Sequence, residues 1–320
     1  MSLDRRDWIL GAAALASMAG KAHAEPPVAA PAPSGNPPPA DLKTIDLWPR
    51  VPPGGPGPNG FEQVTPGGAV TNIIKPRMVM QRPSTKPNGA SVLILGGGGY
   101  RRIGIASESR PTADWLGAHG VTSFILYYRL PNGGWPRSAP FQDAQRAMRI
   151  IRSRANELGL DESQIGIIGY SAGGHCAGMT SMKPDAHLYE PVDDVDKVSA
   201  RPDFAGLIYP VLTMMPPNRT KISTMTLLGP NPTLKESMDM SVELQVTDDA
   251  PTTFLAQATD DPIAPVENSL LLFAALRRVH VPVELHAFRS GGHGFNIGSV
   301  GTEDRAWPTL FATWAGFTKA

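Results

Sequence analysis

The chain has 320 residues, 41% of them apolar, which is enough for one large domain with a full hydrophobic core. Lysine plus arginine equals aspartate plus glutamate at 29 each, so the excess of charge that draws a protein to nucleic acid or an anionic membrane surface is missing, and neither is expected as a partner. A lone cysteine, Cys176, excludes an internal disulfide, and the scattered histidines have no zinc-ligand spacing, so no metal site is expected. At the start of the chain, Arg5-Arg6 precede an Ala-, Leu- and Gly-rich apolar segment that ends in the small-x-small sequence Ala22-His23-Ala24. This pattern predicts an export signal of the twin-arginine type over residues 1–24, which places the mature protein in the periplasm or outside the cell. No apolar run reaches the length of a membrane span and no cysteine follows the cleavage site, so a membrane anchor is not expected. Residues 25–46 read as a Pro/Ala-rich linker, too poor in apolar surface to offset the entropy of ordering.

Residues 47–320 read as one α/β domain. Val70–Ile74 is a strand candidate, and Ser91–Leu95 is an apolar run ending in four glycines, as a buried parallel strand does. Thr112–His119 reads as a helix closed by Gly120, and Val121–Tyr128 as the next strand. Ala144, Ala147, Met148, Ile151 and Ala155 recur at helical spacing with arginines between them, which predicts a long amphipathic helix with Asp143 capping its start. Further strands are predicted at Gln164–Gly169, Phe204–Tyr209, Thr252–Ala258 and Pro282–Phe288, and helices at Pro265–Arg278 and Trp307–Phe317. Alternating strands and helices imply a mostly parallel central sheet with helices on both faces. Pro216, Pro217, Pro230 and Pro232 break the pattern, and residues 213–250 are expected to form a lid or specificity insert.

Gly169-Tyr170-Ser171-Ala172-Gly173 is a Gly-x-Ser-x-Gly motif between a predicted strand and a helix of small residues. A turn this sharp needs small neighbours and holds the serine exposed at the strand's end, so Ser171 is the candidate nucleophile. Its base should sit in a loop after a later strand. His293, in Gly291-Gly292-His293-Gly294-Phe295, meets that condition. His175 lies four residues past Ser171 and reads as packing, His286 lies inside a strand, and His280 precedes one. The acid is expected just after Thr252–Ala258, at Asp260 or Asp261. Spacing does not order two adjacent side chains, and Asp261, directly before Pro262, is preferred. Glycines after the Ser91–Leu95 strand let backbone N–H groups approach a substrate, so the amides of Gly98 and Gly99, with that of Ala172, are the expected oxyanion hole. A phosphate loop is the rival reading, but no Gly-Lys-Ser/Thr follows the glycines. Tyr100 and Trp135 are candidate substrate-pocket residues, with ordinary loop packing the alternative for Trp135. Arg101 and Arg102 read as solvated.

These motifs, in this order, resemble the α/β-hydrolase superfamily, and within it the acetyl esterase and acetylxylan-esterase-like branch of the BD-FAE type. The resemblance also runs through Tyr128-Arg129-Leu130-Pro131, Asp143-Ala144-Gln145-Arg146-Ala147 and Asn268-Ser269. It implies the α/β-hydrolase fold, Ser171 as nucleophile, Asp261 as acid, His293 as base and the glycine run as oxyanion loop. It further implies that no cofactor is needed and that the substrate is a small-molecule or oligosaccharide ester, with acetylated carbohydrate the family's implication. Gly96 stands where relatives carry His or Pro, and Arg101-Arg102 where small residues are commoner. Two other readings stay open: a peptidase or amidase using the same triad, and a non-catalytic carbohydrate-binding protein on this fold.

Overall fold

A computed structural model describes residues 42–318. The expected export signal and most of the expected linker lie outside them. In chain order the strands are β1 (Leu42–Asp46), β2 (Gln63–Val64), β3 (Val70–Thr71), β4 (Arg77–Gln81), β5 (Ser91–Leu95), β6 (Thr122–Tyr127), β7 (Ile165–Tyr170), β8 (Phe204–Ile208), β9 (Thr252–Ala258) and β10 (Val283–Phe288). The helices are α1 (Arg110–Ala118), α2 (Ala139–Ser153), α3 (Ala155–Leu158), α4 (Ser171–Met182), α5 (Lys221–Leu228), α6 (Leu234–Asp239), α7 (Glu267–Arg278) and α8 (Trp307–Trp314).

Eight strands form one sheet in the order β1-β4-β6-β5-β7-β8-β9-β10. From β6 to β10 every pairing is parallel, while β1 and β4 run antiparallel at one edge. The central strands β5, β7 and β8 are buried along their whole length, which is why they read as continuous Val/Ile/Leu runs rather than as an alternation. One face carries α1 and α8, joined through Trp115, Trp307 and Phe311 with ring centroids 6.0 and 6.2 Å from Trp115. The opposite face carries α2, α4 and α7. Parallel strands covered on both sides put the strand ends β5, β7, β9 and β10 at one rim of the sheet, and the loops that leave them converge there.

Three sequence expectations change. The linker stops before residue 46: Leu42–Asp46 pairs with Arg77–Gln81 as an edge strand, in which Ile45 alone is buried. The strand expected at Val70–Ile74 shrinks to Val70–Thr71, paired with Gln63–Val64 in a separate two-stranded ribbon. Asp143 caps nothing, because α2 starts four residues earlier at Ala139 with Pro140 in its first turn, and Asp143 is fully buried inside the helix.

Candidate active site

The chain turns from β7 into α4 at Ser171, whose φ of 50° is the left-handed conformation that a side-chain-bearing residue avoids. The neighbours make room for it. A Cβ on Gly173 would lie 2.3 Å from the carbonyl oxygen of Leu95 and 2.5 Å from that of Gly96, and one on Gly169 would lie 2.4 Å from the carbonyl oxygen of Gly173. These obstacles are backbone and cannot swing aside. Gly173→Ala is therefore expected to destabilise the protein by about 3 kcal/mol despite alanine's better helix propensity. Thermal unfolding should record a fall of roughly 5–10 °C.

The Ser171 hydroxyl lies 2.8 Å from His293 Nε2, and His293 Nδ1 lies 2.7 Å from Asp261 Oδ2. His293 sits on the glycine-framed loop after β10, and Asp261 on the turn after β9. The Asp261 carboxylate is fully buried and fixed from several sides. Its Oδ1 accepts the N–H groups of Ile263 at 2.8 Å and Ala264 at 2.9 Å, and its Oδ2 accepts Gln257 Nε2 at 2.9 Å. A carboxylate on Nδ1 selects the tautomer with its proton there, leaving Nε2 to accept the serine proton. Asp260, the competing acid, points elsewhere: its Oδ1 accepts the N–H of Gly292 at 2.8 Å, clamping the backbone that carries His293.

The glycine loop after β5 borders the same serine. Several of its backbone groups are already bonded within the protein. Gly96 O accepts the Tyr128 hydroxyl at 2.7 Å, Gly97 N–H donates to Glu108 at 2.5 Å, and Gly98 O accepts the N–H of Arg101 at 3.1 Å. The N–H groups of Gly98 and Gly99 have no acceptor among the described residues. Ala172 N–H, in the first turn of α4, has no intrahelical partner by position. Together with Ser171 and His293, Gly98 and Gly99 line an open pocket of about 640 Å³. The 213–250 segment supplies Thr220, Ile222 and Ser223 to its wall, and Arg101 and Arg102 also line it.

Tyr100 and Trp135, the two sequence candidates for substrate contact, lie elsewhere. Tyr100 is fully buried, and its hydroxyl bonds His175 Nδ1 at 2.7 Å. Positive φ at Tyr100 (61°) turns the ring inward, behind the loop rather than into the pocket. Trp135 is buried, donates from Nε1 to Ile73 O at 2.7 Å and stacks over the Arg129 guanidinium, so it fastens a loop. His175 packs, as its place on α4 implied. Its Nε2 donates to Met240 O at 2.7 Å, and burial lowers its pKa to about 4, which keeps the ring neutral.

Sequence reasoning passed over Glu108. It lies on the turn before α1, is buried, and lines the pocket. Burial raises its pKa above the ordinary glutamate value, opposed by the donors from Gly97 and Tyr209. A single glutamate in Ala106-Ser107-Glu108-Ser109 ahead of a helix gives no sign in sequence that the chain will bend it inward.

The sequence profile of the BD-FAE family matches residues 80–276. An acetylxylan esterase of Xylanibacter ruminicola is 32% identical over 233 residues, covering 70% of this chain and 45% of the relative. An endo-1,4-beta-xylanase B of Butyrivibrio fibrisolvens is 32% identical over 227 residues, covering 70% of this chain and 34% of the relative. The chain thus spans less than half the length of these curated relatives. Among solved structures, an acetyl ester-xyloside bifunctional hydrolase of Caldicellulosiruptor lactoaceticus superposes with a TM-score of 0.74 at 32% identity, covering 87% of this chain and 97% of that one. An esterase of Thermogutta terrifontis superposes with a TM-score of 0.65 at 24% identity, covering 77% of this chain and 92% of that one, and supports the fold.

Proposed function

Because the chain belongs to the BD-FAE family and has the α/β-hydrolase fold, we propose that it is a serine hydrolase that cleaves short-chain carboxylic esters, acetylated carbohydrate foremost. The observation that carries this reading is the alignment of Ser171 Oγ, His293 Nε2 and the buried Asp261 Oδ2 at 2.8 and 2.7 Å, with Ser171 and His293 lining an open pocket. His293 takes the Ser171 proton as the oxygen attacks the ester carbonyl, and Asp261 stabilises the imidazolium that forms. The tetrahedral oxyanion rests on the amides of Gly98, Gly99 and Ala172, at the N-terminal end of α4. His293 then protonates the departing alcohol, and water hydrolyses the acyl-enzyme by the same route. None of these steps draws on a cofactor. The xylan-directed relatives support carbohydrate acetate as the substrate class, and export through a signal at residues 1–24 would bring the enzyme to polymeric or oligomeric substrate outside the cytoplasm.

The test is a panel of p-nitrophenyl acetate, butyrate and octanoate, followed by acetylated xylo-oligosaccharides, with a serine-directed phosphonate as label. Acetate is expected to turn over fastest and the phosphonate to label Ser171 stoichiometrically. Preference for octanoate would move the substrate class to longer acyl chains. Hydrolysis of anilides but not esters would make the enzyme an amidase, and inertness toward ester, anilide and phosphonate alike would leave a carbohydrate-binding protein.

A further inference from the structure

The four glycines that include Gly98 and Gly99 have no side chains with which to hold themselves in place. Their loop is held from beneath. Glu108 Oε2 accepts Gly97 N–H at 2.5 Å, and Glu108 Oε1 accepts the Tyr209 hydroxyl at 2.9 Å. Tyr209 follows β8 in a left-handed conformation (φ 36°), and its ring packs edge-on against the His293 imidazole with centroids 5.1 Å apart. Asn296 Oδ1, on the His293 loop, lies 3.3 Å from the same hydroxyl. One buried carboxylate thus joins the glycine loop, the segment after β8 and the loop that carries the base. The approach is close: a Cβ on Gly104 would clash with Glu108 Oε2, so glycine at this turn leaves room for the carboxylate where it sits.

We propose that Glu108 is a positioning residue of the ester-cleaving site, whose carboxylate sets the glycine loop so that the Gly98 and Gly99 amides face the forming oxyanion. The inference rests on the esterase reading above. A carboxylate suits the place because both partners donate to it, and protonation would put a third donor between them. The charged or titratable groups around it are Arg102 and His293 at the pocket and Tyr128, Tyr170 and Tyr209 in the core. Burial pushes the Glu108 carboxyl above the ordinary glutamate value, against the donors from Gly97 and Tyr209.

Wild type, Glu108→Ala and Glu108→Gln are compared for kcat and KM on p-nitrophenyl acetate at neutral pH. Turnover is normalised to sites titrated with phosphonate, and thermal midpoints are recorded alongside. Glu108→Ala is expected to lower kcat per titrated site by about 10²-fold with KM nearly unchanged, the effect of misplaced transition-state donors. Glu108→Gln is expected to recover most of that loss. Its carbonyl oxygen can accept Gly97 N–H, while its amide donates to Tyr209, which can turn its proton toward Asn296. If both variants turn over like wild type per titrated site and only their midpoints fall, Glu108 is structural and the inference is wrong. It is equally wrong if Glu108→Ala raises KM and leaves kcat alone, which marks a ground-state substrate contact. A wild type inert to ester and phosphonate overturns the esterase reading and this inference with it, whereas an active wild type matched by both variants overturns this inference alone.

Discussion

Ser171→Ala is expected to lower kcat on p-nitrophenyl acetate by about four to six orders of magnitude, and Asp261→Asn by about four. The aspartate effect follows from the tautomer. Asp261 Oδ2 holds the proton on His293 Nδ1 at 2.7 Å, and an amide in its place can present its NH₂ group to that nitrogen. The proton then moves to Nε2, and the ring faces Ser171 as a donor when the reaction needs an acceptor. The amide nitrogen would also meet the N–H groups of Ile263 and Ala264 or the Gln257 amide, so neither orientation satisfies every neighbour. Asp260→Ala is the control. It releases Gly292 N–H, leaves the ring's partner in place, and should reduce activity far less. Steady-state kinetics on the three variants decide between the adjacent acids. If Asp260→Ala and Asp261→Asn lose activity equally, the ring is steered by the loop and the role given to Asp261 fails. Combining Ser171→Ala with Asp261→Asn should cost little beyond Ser171→Ala alone, because an orienting acid has no function once the nucleophile is gone.

The central strands were legible in sequence because their burial is nearly uniform. β5, β7, β8 and β9 read as short apolar runs because parallel strands under two layers of helix bury both faces. β1 and β4, at one edge, escaped for the converse reason, although β10 at the other edge was read. β4 buries Met78 and Met80 and is bounded by Lys75-Pro76 and Arg82-Pro83, so its alternation is brief and built on a residue with weak strand preference. β1 lies directly after proline-rich chain and buries one residue, and composition hid it. The serine, histidine and aspartate were legible because each sits in a glycine or proline context at the end of a recognisable strand. Glu108 was not, since its role depends on a turn that folds it beneath a loop eleven residues away. Asn268-Ser269 was visible as a motif without a mechanism. The contacts supply one for Ser269: its Oγ donates to Gln257 Oε1 at 3.1 Å, and the Gln257 amide donates to Asp261, so Ser269 props the acid from behind.

Asp143→Ala is expected to be the most damaging of the substitutions away from the pocket, costing about 3–5 kcal/mol, or roughly 10 °C in thermal midpoint. Asp143 and Arg129 have no exposed side-chain surface. The carboxylate accepts Arg129 Nε at 2.9 and 3.0 Å, the Arg129 N–H at 2.8 Å and Trp48 Nε1 at 2.8 Å. The guanidinium in turn donates to Pro53 O and to Gln142 Oε1 and lies between the Trp48 and Trp135 rings. Removing the carboxylate strands a buried cation and frees Trp48, loosening the segment that enters the domain from β1. The damage should reach activity through the next residue back, because Tyr128 holds Gly96 O at the root of the glycine loop beside Ser171. Burial raises the Asp143 pKa against the opposing pull of Arg129, a sign that desolvation sets a large part of the energy of this pair. Arg129→Met combined with Asp143→Leu should therefore be more stable than Asp143→Ala alone, since no uncompensated charge stays buried. Thermal and urea unfolding of wild type, single and double variants read this directly. A double variant as unstable as the single one would assign the loss to the hydrogen bonds of Trp48, Pro53 and Gln142, and the stranded charge would not be its cause.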